Sequence, residues 1–98
     1  MRMMLKVSMN VEASNKAIHN GTFSLIMEKV LTKLQPEATY FMALQGKRTM
    51  LAFFDLKEAS MIPQIAEPLF SGMNAEIDFI PVMVQADLEQ GLAAVLGG

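Results

Sequence analysis

The sequence predicts one α+β domain whose strands and helices follow each other in the order βαββαβ. Two patterns predict it: runs with the two-residue period of half-buried strands, and two longer segments with the three-and-four spacing of amphipathic helices. The length of 98 residues fits one domain, 1–98, and is sufficient to bury a hydrophobic core without metal or disulfide cross-links. There is no cysteine, which excludes disulfides, thiolate metal sites and cysteine nucleophiles.

The first strand and the first helix adjoin each other near residue 10. Residues 2–9 alternate, with Met3, Leu5 and Val7 on the more apolar face, and this predicts the first strand. Residues 11–34 then take helical spacing. We predict a break in this helix at Asn20-Gly21, because glycine favours the end of a helix, and we predict that Thr22 caps the second part.

A hairpin is predicted over residues 37–45 and 48–56, with a tight turn at Gln45-Gly46 or Gly46-Lys47. Both of its faces are apolar. One face carries Tyr40, Met42, Leu44, Leu51 and Phe53, and the other carries Phe41, Ala43, Met50, Ala52 and Phe54. A face in contact with solvent would be more polar, so this pattern indicates that both faces are covered.

The last third of the chain predicts a helix over 59–73, a strand over 75–84 and a short helix over about 87–96. Ser60 is the predicted N-cap of the first of these helices, and Pro68 is expected to kink or shorten it. Pro81 places the strand at a sheet edge, because a central strand would need its N–H. Asp87 resembles a capping residue, and Gly97-Gly98 is expected to fray.

Strand, helix, hairpin, helix, strand is the ferredoxin-like arrangement, with both helices on one face of a four-stranded antiparallel sheet. The composition is 52% hydrophobic and only 18% charged, which is apolar for so small a domain. We therefore predict a homodimer that pairs through the sheet face and buries roughly 2,000 Å² in total. The sequence does not indicate which hairpin face meets the partner.

The closing stretch Ala75-Glu76-Ile77-Asp78-Phe79-Ile80-Pro81-Val82-Met83, with the βαββαβ order and the doubly apolar hairpin, resembles the dimeric α+β barrel proteins, including small uncharacterised bacterial members. The resemblance covers nearly the whole chain. It implies that two sheets pair face to face into a barrel. Better-known members, similar to muconolactone isomerase or the antibiotic-biosynthesis monooxygenases, hold small organic ligands in a cleft between sheet and helices. No motif here allows an active-site residue to be carried over.

Six polar residues are candidates for binding a ligand, and three residues are weak candidates for catalysis. The binding candidates are Asn15, His19, Asn20, Thr22, Tyr40 and Arg48, and the catalytic candidates are His19, Tyr40 and Glu67. His19 is the only histidine and precedes the predicted helix break, where backbone N–H groups could hold a small carboxylate. The alternative is that the histidine and asparagines are exposed or capping residues, that Tyr40 supplies contact area, and that Arg48 and Glu67 are solvated.

Composition also argues against several classes of partner. The net charge of −2 and the scattered Lys and Arg residues do not favour nucleic acid. No apolar run reaches the roughly 18–20 residues of a membrane span, and Lys6 interrupts the N-terminal apolar stretch early, so we expect a cytoplasmic protein. We expect no metal and no cofactor; the ten methionines are interpreted as core and interface residues rather than copper ligands.

Two functions are compatible with this pattern. The first is a homodimeric barrel that binds a small, largely apolar organic molecule. Such a barrel could also be a cofactor-independent isomerase or monooxygenase that acts on this molecule. The alternative is a non-enzymatic dimeric interaction or regulatory module. A polar group inside an otherwise apolar pocket would favour the first function, and a filled core without a cavity would favour the second.

Overall fold

The computed structural model describes residues 1–97 and contains one four-stranded antiparallel sheet and four helices. The elements are β1 (Arg2–Ser8), α1 (Val11–His19), α2 (Thr22–Leu34), β2 (Ala38–Leu44), β3 (Lys47–Asp55), α3 (Met61–Met73), β4 (Glu76–Pro81) and α4 (Gln85–Gly97). The strand order is β2-β3-β1-β4. The predicted edge position of the strand that contains Pro81 is confirmed, since β4 pairs only with β1.

The predicted break in the first helix lies between α1 and α2. Gly21 takes a left-handed conformation with φ 81°, and the Asn20 side-chain oxygen accepts hydrogen bonds from the Thr22 N–H at 3.0 Å and the Thr22 hydroxyl at 2.7 Å. The predicted N-cap role of Thr22 is wrong, because Thr22 is the first residue of α2 and Gly21 is its N-cap. The Asn20 side chain already supplies the acceptor that a capping Thr22 hydroxyl would have supplied.

The hairpin turns at Gln45-Gly46, the first of the two predicted positions. Leu44 lies opposite Lys47 in the register, so two residues form the loop. Both have positive φ, 54° at Gln45 and 76° at Gly46, as in a type I′ turn, whose twist matches that of the two strands.

Helix α3 continues through Pro68 to Met73, so the predicted shortening at Pro68 is wrong. Ile65, Leu69 and Met73 are fully buried along one side of α3, and this packing holds the helix across the proline. Ser60 precedes the helix as predicted, but its hydroxyl bonds the Glu58 carboxylate instead of capping a helical N–H.

The core lies between the helices and one face of the sheet. On that face the register places Val7 opposite Met50, Leu5 opposite Ala52 and Met3 opposite Phe54, and all six are buried. Helices α2 and α3 contribute the buried side chains Met27, Val30, Leu34, Ile65, Leu69 and Met73. The Phe54 and Phe79 rings meet edge to face with centroids 6.2 Å apart.

The other face of the sheet, here called the outer face, is not covered by any element of residues 1–97. Its apolar part is formed by Tyr40, Met42, Leu44, Leu51 and Phe53, with Met4 of β1 and Ile80 of β4 beside them. Strands β1 and β4 also place polar and charged residues on this face: Arg2, Lys6, Ser8, Glu76 and Asp78. Tyr40 is 57% exposed. The structure therefore shows that the hairpin face with Tyr40 is the one open to solvent.

Helix α4 begins two residues before the predicted start and includes Gly97; Gly98 lies outside the described residues. The Asp87 carboxylate accepts a hydrogen bond from the Val84 N–H at 3.1 Å, which closes the first turn. No residue of α4 is buried. Within residues 1–97, no helix has the length and apolar character needed to cross a bilayer.

Leu69→Ala is expected to lower the free energy of unfolding by about 2–5 kcal/mol, because it leaves a cavity between α3 and the sheet. The measurement is chemical denaturation followed by circular dichroism. Leu25→Ala is the matched control: Leu25 is 66% exposed on α2, and the same substitution there should change stability by less than about 0.5 kcal/mol. Equal losses in the two variants would contradict the described core.

Candidate functional site

An apolar cleft of about 450 Å³ opens beside the edge strand β2, between this strand and the adjoining ends of α1 and α2; Met42 and Thr49, which belong to the outer face by register, also contribute to its lining. Six apolar and two polar residues line it: Met9, Ile18, Phe23, Phe41, Met42, Ala43, Arg48 and Thr49. The cleft lies between the sheet and the helices.

The cleft exists because β2 extends beyond the helix layer. Phe41 pairs with Met50 and therefore points to the helix side, yet Phe41 is 59% exposed whereas Met50 is buried. Ile18 near the end of α1 and Phe23 near the start of α2 form the opposite wall. The break at Gly21 brings these two apolar side chains to the same end of the helix pair.

Arg48 is the charged group of the cleft, and a buried serine orients it. The Arg48 Nη1 donates a hydrogen bond to the Ser14 Oγ at 2.7 Å, and the Ser14 Oγ donates to the Val11 carbonyl at 3.2 Å. Ser14 is fully buried in α1. This bond connects β3 to α1 and holds one edge of the guanidinium against the helix.

No carboxylate of residues 1–97 forms an ion pair with Arg48. The ion pairs of this part of the chain join Arg2 to Glu37, Lys47 to Glu76 and the N-terminal ammonium to Asp55. A guanidinium has five N–H donors, and Ser14 takes one of them. The cleft therefore combines apolar walls with an oriented cation that forms no ion pair within residues 1–97.

Of the sequence-predicted binding residues, the structure places Arg48 in the lining of the cleft, and Asn15 is not among the lining residues. Asn15 is exposed on α1, three residues before Ile18, and at 3.6 residues per turn the two side chains project about 60° apart.

His19, Asn20 and Thr22 lie together at the junction of α1 and α2, and all three are exposed. Asn20 and Thr22 bond to each other, so the Thr22 N–H is occupied by the protein itself. This arrangement agrees with the capping alternative for Asn20.

Tyr40 and Glu67 are separated from these residues. Tyr40 pairs with Leu51 and lies on the outer face, on the opposite side of the sheet from Ile18 and Phe23. Glu67 is exposed on α3 and lines a groove between α2 and α3 with Lys29 and Ser71. The structure thus brings neither of them to the cleft.

The sequence interpretation missed Ser14, Ile18, Phe23 and Phe41 as site residues. One signal points to Ser14: it lies three residues before Ala17 on the side of α1 that is buried, and a polar side chain in such a position needs a hydrogen-bond partner. No comparable signal exists for the three apolar residues, because the same residue types also build the core.

A second cavity, of about 440 Å³, is lined by Arg2, Gln35, Glu37, Phe54 and Asp55. Its charges are already balanced by protein groups. Arg2 pairs with Glu37 at 2.8 Å, and the N-terminal ammonium pairs with Asp55 at 2.8 Å, a hydrogen bond that lowers the pKa of Asp55. It is therefore a weaker candidate for an anionic ligand than the cleft at Arg48.

Comparison with known proteins adds no functional assignment: no family model matches the chain, and no match was found among curated proteins. Within residues 1–97, no three His, Cys, Asp or Glu side chains form a group that could hold a metal ion. The candidate site is thus defined by the cleft and by Arg48.

The Arg48–Ser14 bond is expected to couple the two residues energetically. In a double-mutant cycle of Arg48→Met and Ser14→Ala, the coupling should be about 1 kcal/mol, reduced from the usual value for a charged group because Arg48 is exposed. The free energies of unfolding come from denaturant titration. Lys16→Met replaces Arg48→Met in the control cycle, since Lys16 also carries a positive charge but does not bond Ser14, and its coupling should be near zero. Additivity in the Arg48 cycle would contradict the bond.

Proposed function

We propose that this protein is a ferredoxin-like homodimer of the dimeric α+β barrel type, and that each subunit binds a small, largely apolar organic anion in the cleft at Arg48. The observation that carries the ligand proposal is a single oriented guanidinium in an otherwise apolar cleft. The observation that supports the dimer is the uncovered apolar part of the outer face on β2 and β3.

The cleft has the character expected of a site for a small organic molecule. Its volume of about 450 Å³ is within the usual range of ligand pockets, roughly 300–1,000 Å³. A planar guanidinium matches the geometry of a carboxylate or enolate, whose two oxygens can each accept an N–H. An aromatic or branched aliphatic body would contact Ile18, Phe23 and Phe41.

We propose binding rather than turnover. Among the described residues that line the cleft, Arg48 is the ionisable one, and an arginine does not exchange protons near neutral pH. General acid–base catalysis needs a group with a suitable pKa within hydrogen-bond reach of the substrate. Isomerase activity in this cleft would therefore need a group other than its lining side chains.

The outer face supports a homodimer because its residues would otherwise meet water. Leu51 and Phe53 of the inner strand β3 and Tyr40 of β2 form an apolar surface without a second layer from residues 1–97. A symmetric dimer buries the same patch of both copies at once.

Leu51→Lys is expected to dissociate the dimer, because residue 51 lies opposite Lys6 and a second lysine there would bury two like charges in the interface, at a cost of several kcal/mol. Sedimentation velocity measures the association state. Leu25→Lys is the matched control on the exposed side of α2 and should remain dimeric. A wild-type chain that is monomeric at tens of micromolar, without aggregation, would contradict the proposed dimer.

Arg48→Met is expected to weaken binding of benzoate about tenfold, since it removes a charge-assisted hydrogen bond worth about 1.4 kcal/mol at this exposed position. Isothermal titration calorimetry measures the affinity, with benzamide as a neutral probe of similar shape. The variant should bind benzoate and benzamide equally, whereas the wild type prefers benzoate. Lys16→Met is the charge-matched control and should behave as the wild type. Unchanged benzoate affinity in Arg48→Met would exclude Arg48 as the anion contact.

His19→Ala tests the remaining sequence-derived candidate with the same two probes. If His19 lies outside the binding surface, the variant should bind benzoate as the wild type does. A weaker affinity would extend the site from the cleft to the α1–α2 junction.

The second candidate function is a non-enzymatic dimeric interaction module, and the outer face is the observation that favours it. It predicts a dimer that binds neither benzoate nor benzamide. The two candidate functions therefore predict different affinities for benzoate in the calorimetry, and both predict a dimer in the sedimentation experiment.

A further inference from the structure

Strand β2 is an edge of the sheet, and its free side is unprotected. Within residues 1–97 it pairs only with β3. Proteins usually protect an edge strand with charged side chains, with proline or by keeping it short. The opposite edge strand β4 has this protection, since its six residues include Glu76, Asp78 and Pro81. Strand β2 is seven residues long, Ala38–Leu44, and has neither a charge nor a proline.

The register identifies the backbone groups that β2 turns to its free side. The Met9 N–H donates to the Arg48 carbonyl at 2.9 Å, so Arg48 turns its backbone polar groups towards β1. Because this direction alternates along a strand of an antiparallel ladder, Leu51 turns its own groups towards β2 and bonds Tyr40. The groups on the free side of β2 therefore belong to the residues between the bonded ones: Thr39, Phe41 and Ala43.

Exposed apolar side chains accompany these free backbone groups. Phe41 on the helix side and Tyr40 on the outer face are both more than half exposed, and Phe41 also lines the cleft. An uncharged strand with free N–H and C=O groups and exposed apolar side chains is a template for pairing with another strand.

A second copy of β2 satisfies all of these groups at once. When two β2 strands run antiparallel with residue 41 opposite residue 41, residue 39 of each copy lies opposite residue 43 of the other. Each free N–H then meets a free C=O, and every copy donates three hydrogen bonds and accepts three. A two-fold axis normal to the sheet generates this pairing and places the helix sides of both copies on the same side.

The charges beyond the two ends of β2 agree with the antiparallel orientation. Glu37 precedes the strand, and Lys47 and Arg48 follow the turn at its other end. Antiparallel pairing brings the acidic end of each copy beside the basic end of the other, whereas parallel pairing would bring like charges together. Arg48 forms no ion pair within residues 1–97, so its charge is free to contribute.

We propose that the β2 strands of two copies of this chain pair antiparallel about a two-fold axis at Phe41, and that the partner's Phe41 is thereby added to the rim of the cleft. This contact is separate from the proposed outer-face dimer and goes beyond the proposed function. It is small, and interfaces below about 1,200 Å² belong to weak or transient complexes. We therefore expect it at higher protein concentration than the outer-face dimer.

The test uses the full chain with Leu51→Lys, which removes the outer-face dimer and leaves edge pairing as the remaining association. Thr39→Pro is added to block that pairing. Because the Thr39 N–H points to the free side, proline leaves the β2–β3 ladder intact and removes one hydrogen bond from each copy. Thr39→Val is the matched control, since it keeps the N–H. Sedimentation equilibrium up to about 1 mM, the range of weak complexes, measures the mass.

The Leu51→Lys chain, alone or with Thr39→Val, should pass from one chain to two as its concentration rises. Thr39→Pro should raise the dissociation constant at least about tenfold. Equal association with Thr39→Pro and Thr39→Val overturns the inference, and so does growth beyond two chains. A chain that stays single up to about 1 mM leaves β2 to a different strand or to solvent and overturns it too.

The same variants separate this inference from the outer-face dimer. If Leu51→Lys is still dimeric at tens of micromolar and Thr39→Pro dissociates it, the outer-face dimer fails and edge pairing stands. If Leu51→Lys is monomeric at that concentration and associates only when Thr39 is not proline, both proposals stand.

Hydrogen exchange resolved by residue tests the register without a substitution in β2. In the Leu51→Lys chain, the amides of Phe41 and Ala43 should exchange fast when the protein is dilute and become protected when it associates. The amides of Tyr40 and Met42 bond to β3 and should be protected at both concentrations. Association that leaves the Phe41 and Ala43 amides unprotected uses another surface and overturns the inference.

Discussion

The sheet of this protein has apolar side chains on both faces, and one layer of helices covers only one of them. Met50, Ala52 and Phe54 are buried under α1–α3, while Leu51 and Phe53 alternate with them along the same strand and face outward. Because the side-chain period of a strand is two, burying one set necessarily presents the other set on the opposite face. The proposed dimer follows from this imbalance.

The same helix layer also defines the cleft, since it ends before β2. Phe41 remains half uncovered on the helix side, and the end of α1 and the start of α2 face it across the gap. The bond from Arg48 to the buried Ser14 ties the strand to the helix at the point where the layer ends. The hydrogen bond to Ser14 thereby fixes the orientation of the Arg48 guanidinium beside the apolar lining of the cleft.

Local signals in the sequence predicted the elements well where one residue decides the backbone. Gly21 and Gly46 both have positive φ, and they mark the helix break and the hairpin turn that were predicted. The predicted cap at Thr22 and the predicted shortening at Pro68 were wrong for a common reason. In each case a contact outside the local pattern decides the outcome. The Asn20 side chain accepts the hydrogen bond of the Thr22 N–H, and the buried side of α3 stabilises the helix across Pro68.

The sequence by itself determined the order of strands and helices, the edge position of the strand with Pro81, the two apolar faces of the hairpin and Arg48 as a candidate contact. These depend on residue periodicity and on backbone constraints that act within a few residues. Only the tertiary structure decided that Tyr40 lies on the outer face, away from His19, and that Ser14 orients Arg48. Both depend on which side of the sheet the helices cover and on a contact between residues 34 positions apart, and no local pattern encodes either.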